Sequence, residues 1–349
     1  MASIRILTTH TGSLPRPADL SEMMLARDRG QPYDPEALEA RIASATIEGV
    51  KRQVETGIDV VSDGEYSKTS YTAYVKDRLT GFEGEQLQTS SINIERQEFP
   101  DFLRVAGNQV SMPSCNGAVA LKDPSGVRRD IANLQAALKA ANHSRAFMTS
   151  PSPGQIARFM PTTYYKRHEE YVYALADAMK DEYQAIIAAG LTLQLDCPDL
   201  ASGRGNQWAA LSLEEFRELA ALHVAAINHA VDGLPRERIR LHVCWGNYEG
   251  PHNHDVPLRD IVDVVLQANV GALLFEAANP RHAHEWKVWR EVDLPAGTTL
   301  IPGVLDSCTN YIEHPELVAE RLERFAGVVG AGRVTAGTDC GFGTSLGER

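Results

Sequence analysis

In LHVCWGN, residues 241–247, a histidine and a cysteine sit two positions apart inside an apolar run. His242 and Cys244 are ligating groups where a buried strand would ordinarily carry aliphatic ones. Residues two apart in a strand share a face, so both side chains project the same way. Two more residues extend the set: Glu276, at the end of GALLFEAAN, and Cys340, in RVTAGTDCGF. One imidazole, two thiols and one carboxylate suit Zn²⁺ in softness and charge. Such a site makes sense as a catalyst. The metal lowers the pKa of an incoming substrate thiol, whose sulfur enters the coordination sphere as a thiolate nucleophile. Each motif alone has a plainer reading, since a buried cysteine is ordinarily an inert small hydrophobe. Position binds the four together, because each lies where an apolar run stops.

Such a set needs separate strands whose ends converge. Eight short apolar segments qualify: RILTTHTGS, DVVSDGEY, RAFMTSPSPG, TLQLDCPD, IRLHVCWGN, GALLFEAAN, TTLIPGVLDS and RVTAGTDCGF. Helical patterns alternate with them over residues 34–57, 164–190, 212–233, 258–269, 282–292 and 314–330. The first opens on the capping pair Asp34–Pro35 and stops at Gly57. This alternation predicts an α/β fold, a single (β/α)8 TIM-type barrel over residues 1–349. The strands are rich in Val, Leu and Ile, as strands covered on both faces should be. An open doubly wound sheet is the competing architecture, but no Gly-rich dinucleotide fingerprint follows the first strand. Residues 82–144 are too long for a simple loop and read as an inserted excursion after strand 2. It holds strand-like FLRVAG and NGAVALK, suggesting a hairpin, and the helix DIANLQAALKA. After the eighth strand only GTSLGER follows, where a closed barrel normally carries an eighth helix. A homodimer is the expectation that shortness suggests. Barrel sites lie at the carboxyl ends of the strands. There the chain carries Thr11, Gly12, Ser13, Asp63, Glu65, Asp196, His242, Cys244, Glu276, Asp306, Asp339 and Cys340.

Composition excludes several classes. The net charge of −12 repels a nucleic-acid backbone, and no basic run with interleaved aromatics offsets it. The five cysteines are odd in number and widely spaced, which is not a disulfide framework. The start, MASIRILTTHTGSLPRP, lacks a signal peptide's apolar core. No apolar run approaches the ~20 residues of a membrane span. The expectation is a cytoplasmic protein in a reducing compartment, with small-molecule partners.

Six segments, in order, resemble the carboxyl-terminal catalytic barrel of the cobalamin-independent methionine synthase family and its single-barrel homologues. TTHTGSLPRP is similar to the family's opening strand, DVVSDGEYSK to its HGE segment and LQLDCPDLA to its QIDEP segment. LHVCWGN, LLFEAAN and GTDCGF are similar to its three zinc-ligand segments. The resemblance implies zinc on His242, Cys244, Glu276 and Cys340. It also implies an amino-acid substrate held by Thr11, Gly12, Ser13, Glu65 and Asp196, with backbone N–H groups and a hydroxyl taking its carboxylate and acidic side chains its ammonium. The implied reaction is methyl transfer from 5-methyltetrahydrofolate to homocysteine or a related thiol, with a proton supplied to the leaving nitrogen.

Three departures bear on substrate. The amino-terminal half of the long enzymes is missing. Cys197 replaces a glutamate, and Cys308 stands where the family carries its proposed relay histidine, in YDIHS. Asp306 keeps its register as a catalytic candidate, and His10, His252, His254 and His282 are further histidines for the mouth. The alternatives are an epoxyalkane:coenzyme M-type transferase, with Arg16, Lys68 and Arg158 for its sulfonate, and a non-catalytic barrel with a structural zinc. WGNYEGPHNHD is unlike the long enzymes and is expected to shape a different pocket.

Overall fold

The apolar segments become strands β1 (Leu7–Thr8), β2 (Phe147–Pro151), β3 (Thr192–Asp196), β4 (Ile239–Val243), β5 (Ala272–Phe275), β6 (Thr299–Pro302) and β7 (Thr335–Ala336). This computed structural model describes residues 5–85, 94–100 and 112–343. The helices are α1 (Ala18–Asp28), α2 (Pro35–Glu55), α3 (Val75–Arg78), α4 (Ile94–Glu98), α5 (Ser125–Ala140), α6 (Pro153–Phe159), α7 (His168–Ala188), α8 (Leu213–Ala230), α9 (Val262–Val265) and α10 (Pro315–Val329). Strands β2-β3-β4-β5-β6 form one sheet in chain order, and β1 pairs with β7. The β4–β5, β5–β6 and β1–β7 pairs are parallel. Consecutive parallel strands joined by helical crossovers are the α/β architecture the alternation predicts.

The chain divides into two compact units. The first comprises Met1–Thr11, Thr89–Val105 and Gln194–Cys340. In it, parallel bridges Leu300↔Val334 and Gly303↔Gly337 continue the order from β6 to β7. All five residues of β4 are buried. Aliphatic Ile239, Leu241 and Val243 alternate with polar Arg240 and His242, so one face of the strand packs apolar and the other gathers polar groups. On β3, Leu193 and Leu195 alternate in the same way with Gln194 and Asp196.

The second unit comprises Gly12–Gln88, Ala106–Leu193 and Gly341–Arg349. Asp34 caps α2 as its sequence predicts, accepting from the N–H groups of Glu36 and Ala37, and Gly57 leaves the helix at φ +89°. Helix α1, for which no expectation was drawn, buries Leu20 and Met24 one turn apart against Leu38, Ile42 and Ala45 of α2. Helix α6 also went unforeseen; Ser152 caps it and Pro153 starts it. The expected second strand shrinks to a parallel bridge, Val61↔Ala146. Its chain turns at once, because Gly64 and Glu65 both adopt positive φ, +69° and +58°. In the excursion, the expected helix is α5, while NGAVALK makes only an isolated bridge at Leu121, and Cys115 just before it makes another. FLRVAG lies outside the described residues. Two expected helices of the first unit are tighter: 258–269 becomes a 3₁₀ turn and α9, and 282–292 becomes a 3₁₀ helix over Ala283–Arg290.

Candidate metal centre

Strand β4 delivers His242 from its penultimate position and Cys244 just beyond its end, on one face as expected. The register His242↔Leu274 and Val243↔Phe275 brings Glu276 level with Cys244. Cys340 follows β7 by four residues. His242, Cys244 and Cys340 are all buried, and one ligand atom from each lies within 4.8 Å of the others. The Cys244 and Cys340 sulfurs are 3.7 Å apart. The Nδ1 of His242 lies 3.0 Å from Asp196 Oδ1, while its Nε2 is buried without a hydrogen-bond partner. A buried, unsatisfied ring nitrogen is costly. Beside two sulfurs, that nitrogen is placed as a metal ligand would be. The donor set fits Zn²⁺.

Glu276 is outside that three-atom cluster. Its Oε1 accepts from the Trp245 N–H at 2.6 Å, and its Oε2 accepts from Asn279 Nδ2 at 2.8 Å. Asp339, beside Cys340, braces this turn. It accepts from the N–H groups of Ala277, Ala278 and Asn279 and from Asn279 Nδ2, at 2.8–2.9 Å.

Burial and crowding set the protonation of the centre. The hydrogen bond to the Cys340 sulfur, then burial, push the Cys244 thiol well above its ordinary range. Burial pulls His242 down, but the hydrogen bond to Asp196 and the Cys244 sulfur outweigh it and carry the imidazole up to about 10. Burial pushes Glu276 up as well. Burial and then the charge of Glu276 push Asp339 up to about 7, against the pull of its three backbone donors. Without a metal, this pocket holds protons tightly.

The other expected residues are placed as follows. Asp196 is buried and turned onto His242. Thr11 is committed within the first unit: its N–H donates to Thr338 Oγ1 and its hydroxyl to the Thr338 carbonyl. In the second unit, Ser13 accepts from the Phe342 N–H through its carbonyl. Glu65 is buried and accepts from Thr149 Oγ1 at 2.8 Å. A Cβ at Gly12 would meet Thr149 Cγ2 at 2.7 Å and Glu65 Oε1 at 2.8 Å, and Gly12 has φ +152°. The three basic candidates turn inward. Arg16 donates to the carbonyls of Glu65, Lys68 and Gly343. Lys68 is fully buried on the carbonyl and hydroxyl of Thr149, and Arg158 lies over the Phe159 ring. Asp306 accepts from the Cys308 N–H, and Cys308 points its thiol at Asn247 Oδ1, 3.1 Å away. Burial pushes that thiol up to about 12, so it stays protonated.

His252 of the unfamiliar loop and His282 beyond it form a buried chain with two carboxylates. Asp255 Oδ2 lies 3.0 Å from both His252 Nδ1 and His282 Nε2, and Glu285 Oε2 lies 2.8 Å from His282 Nδ1. His254 instead meets Glu98 near the surface, and His10 is buried. Sequence reasoning missed Asp196 as the partner of His242, and Asn279 and Asp339 as the brace of Glu276. The only local trace was polar residues at alternate positions of buried strands.

Residues 6–111 match the family model described as the catalytic domain of cobalamin-independent synthase. A methionine synthase of Sulfolobus acidocaldarius is 25% identical over 338 residues, covering 96% of this chain and 85% of that protein. One from Thermococcus kodakarensis is 25% identical over 341 residues, covering 96% and 86%. A solved B12-independent methionine synthase from Shewanella sp. W3-18-1 superposes with a TM-score of 0.73 at 21% identity, covering 97% of this chain and 92% of that one. That likeness shows the shared fold. Together these findings bear out the resemblance to the cobalamin-independent methionine synthase family.

Proposed function

We propose that the chain is a zinc-dependent transferase of the methionine synthase type, which methylates homocysteine or a related thiol from 5-methyltetrahydrofolate. The observation that carries this reading is the buried His242–Cys244–Cys340 cluster with its unsatisfied Nε2. The names of the curated relatives support the reaction class. A zinc ion held by these three residues would lower the pKa of a substrate thiol and favour its thiolate. The fourth position would pass between Glu276 and the substrate thiol, since a catalytic site needs one exchangeable position. Glu276 is the fourth ligand in this reading, held in readiness by the Trp245 N–H and Asn279. Asp196 commits Oδ1 to Gln194 and His242, which leaves Oδ2 for a substrate ammonium.

The test is metal analysis of the purified protein, followed by incubation with methylfolate and a panel of thiols. Stoichiometric zinc and an S-methyl product by mass spectrometry are expected. Failure to bind zinc overturns the reading, as does zinc whose X-ray absorption spectrum is unchanged by every thiol. Alkylation by an epoxide but not by methylfolate would keep thiol activation and replace the donor.

A further inference from the structure

Beneath the His242–Asp196 pair lies a second polar pair on the same two strands. Gln194 precedes Asp196 by two residues on β3, and Arg240 precedes His242 by two on β4. Residues two apart in a strand share a face, and the Cys197 N–H to His242 carbonyl bond joins the two strands at this level. The four side chains therefore form two stacked rungs. Arg240 Nε donates to Gln194 Oε1 at 2.7 Å. Gln194 Nε2 in turn donates to Asp196 Oδ1 at 2.8 Å, and that same oxygen lies 3.0 Å from His242 Nδ1. Arg240 is anchored below by the Thr9 hydroxyl and the His10 carbonyl, at 3.0 and 2.9 Å, and Gln194 also by the Thr11 carbonyl.

Each group in this column has one consistent role. A guanidinium only donates, so Gln194 must present its oxygen to Arg240. Its amide nitrogen then faces Asp196. Asp196 Oδ1 receives that N–H and accepts from His242, which requires the His242 proton on Nδ1. Nε2 is thereby the ring nitrogen left to ligate a metal beside the two sulfurs. A cation three hydrogen bonds away thus dictates which ring nitrogen is free to ligate. All of these residues are buried. In a low-dielectric interior, such a network polarises each member, and burying a guanidinium there is costly unless it has a use.

We propose that Gln194 and Arg240 are positioning residues for the metal centre, setting the tautomer and orientation of His242 through Asp196. This rests on the zinc reading above. Outer partners of histidine ligands are worth roughly 10–100-fold in metal affinity. The test measures zinc affinity by chelator competition and the d–d bands of the cobalt-substituted protein, with circular dichroism to confirm folding. Gln194→Met is expected to weaken zinc roughly tenfold or more and to shift the cobalt bands. In an Asp196→Asn background the same substitution should add little, because it acts through Asp196. Arg240→Lys should retain more affinity than Arg240→Met. A folded Gln194→Met protein with wild-type affinity and spectrum overturns the proposal, as do fully additive losses or equal losses for the two Arg240 variants. If Gln194→Met does not fold, nitrogen-15 NMR of the zinc-loaded wild type decides: a proton on His242 Nδ1 supports the column, and its absence overturns it. A wild type that binds no zinc refutes the metal reading instead, so the two failures are distinct.

Discussion

With Nδ1 held by Asp196, the His242 ring has one nitrogen to offer, and metal and proton compete for it. The same contest occurs at Cys244, whose thiol is pushed well up. Because His242 is carried up to about 10, its Nε2 is protonated throughout the neutral range in the metal-free protein. Metal binding must therefore expel protons, and affinity rises with pH. Zinc affinity is expected to fall by up to about tenfold per unit of acidification for each proton displaced, measured by chelator competition between pH 8 and 6, roughly the working range of such assays. A pH-independent affinity would remove these residues as ligands. Cys340→Ser replaces a sulfur ligand by a poor one, and zinc content and turnover should drop together. A variant that keeps both dismisses the assignment. His242, Cys244 and Cys340 were legible in the sequence because strand alternation is local and their types are rare in apolar runs. The hold of Trp245 on Glu276, and of Asp196 on His242, were not. Those bonds join residues 31 and 46 positions apart, and only strand register decides them.

At the scale of elements, helices with explicit start and stop signals were the easiest to foresee. Asp34, Pro35 and Gly57 delimit α2 as expected, and Ser212 with Glu215 closes a capping box at the start of α8. Asp34→Ala should cost about 1 kcal/mol in unfolding free energy, seen as a lower denaturation midpoint without change in zinc content. Strands were overestimated in length, since the residues at their ends serve turns. The Ser62–Glu65 stretch shows why: Asp63 accepts the Glu65 N–H, Ser62 accepts the Gly64 N–H, and two residues in succession take positive φ. Side-chain bonding of this kind competes with the ladder. Gly12 is a close-packed point of the same unit. Gly12→Ala forces a methyl into Thr149 and Glu65 from a backbone angle that favours glycine. A loss of ~1–3 kcal/mol in stability is expected by chemical denaturation.

At the scale of the whole molecule, the sequential strand order was legible from the alternation of periods, while the division into two units was not. Each unit gathers segments distant in the chain, which no window of sequence exposes. All three members of the cluster belong to the first unit. A ligand stabilises what it binds by mass action, so zinc should slow hydrogen exchange around β4, Glu276 and Cys340. Exchange at α2 and α5, which pack together in the second unit, should change little. Mass spectrometry with and without chelator measures this, and uniform protection across both units would mean the metal reports on global stability alone. Among the described residues, no helix is long and apolar enough to cross a membrane.

Trp245 has an optical consequence. Its N–H holds Glu276, its indole N–H donates to the Val256 carbonyl, and its ring centroid lies 4.2 Å from that of His282. Burial lowers His282, but Asp255 and Glu285 more than compensate and keep it protonated up to about 9. An excited indole readily passes an electron to a cationic imidazole in contact and far less readily to a neutral one. Emission from Trp245 should therefore be quenched at neutral pH and recover as the solution passes about 9. The centre thus carries a built-in fluorophore on the residue that tethers Glu276, so a carboxylate changing partners would register as a change in light, with no label attached.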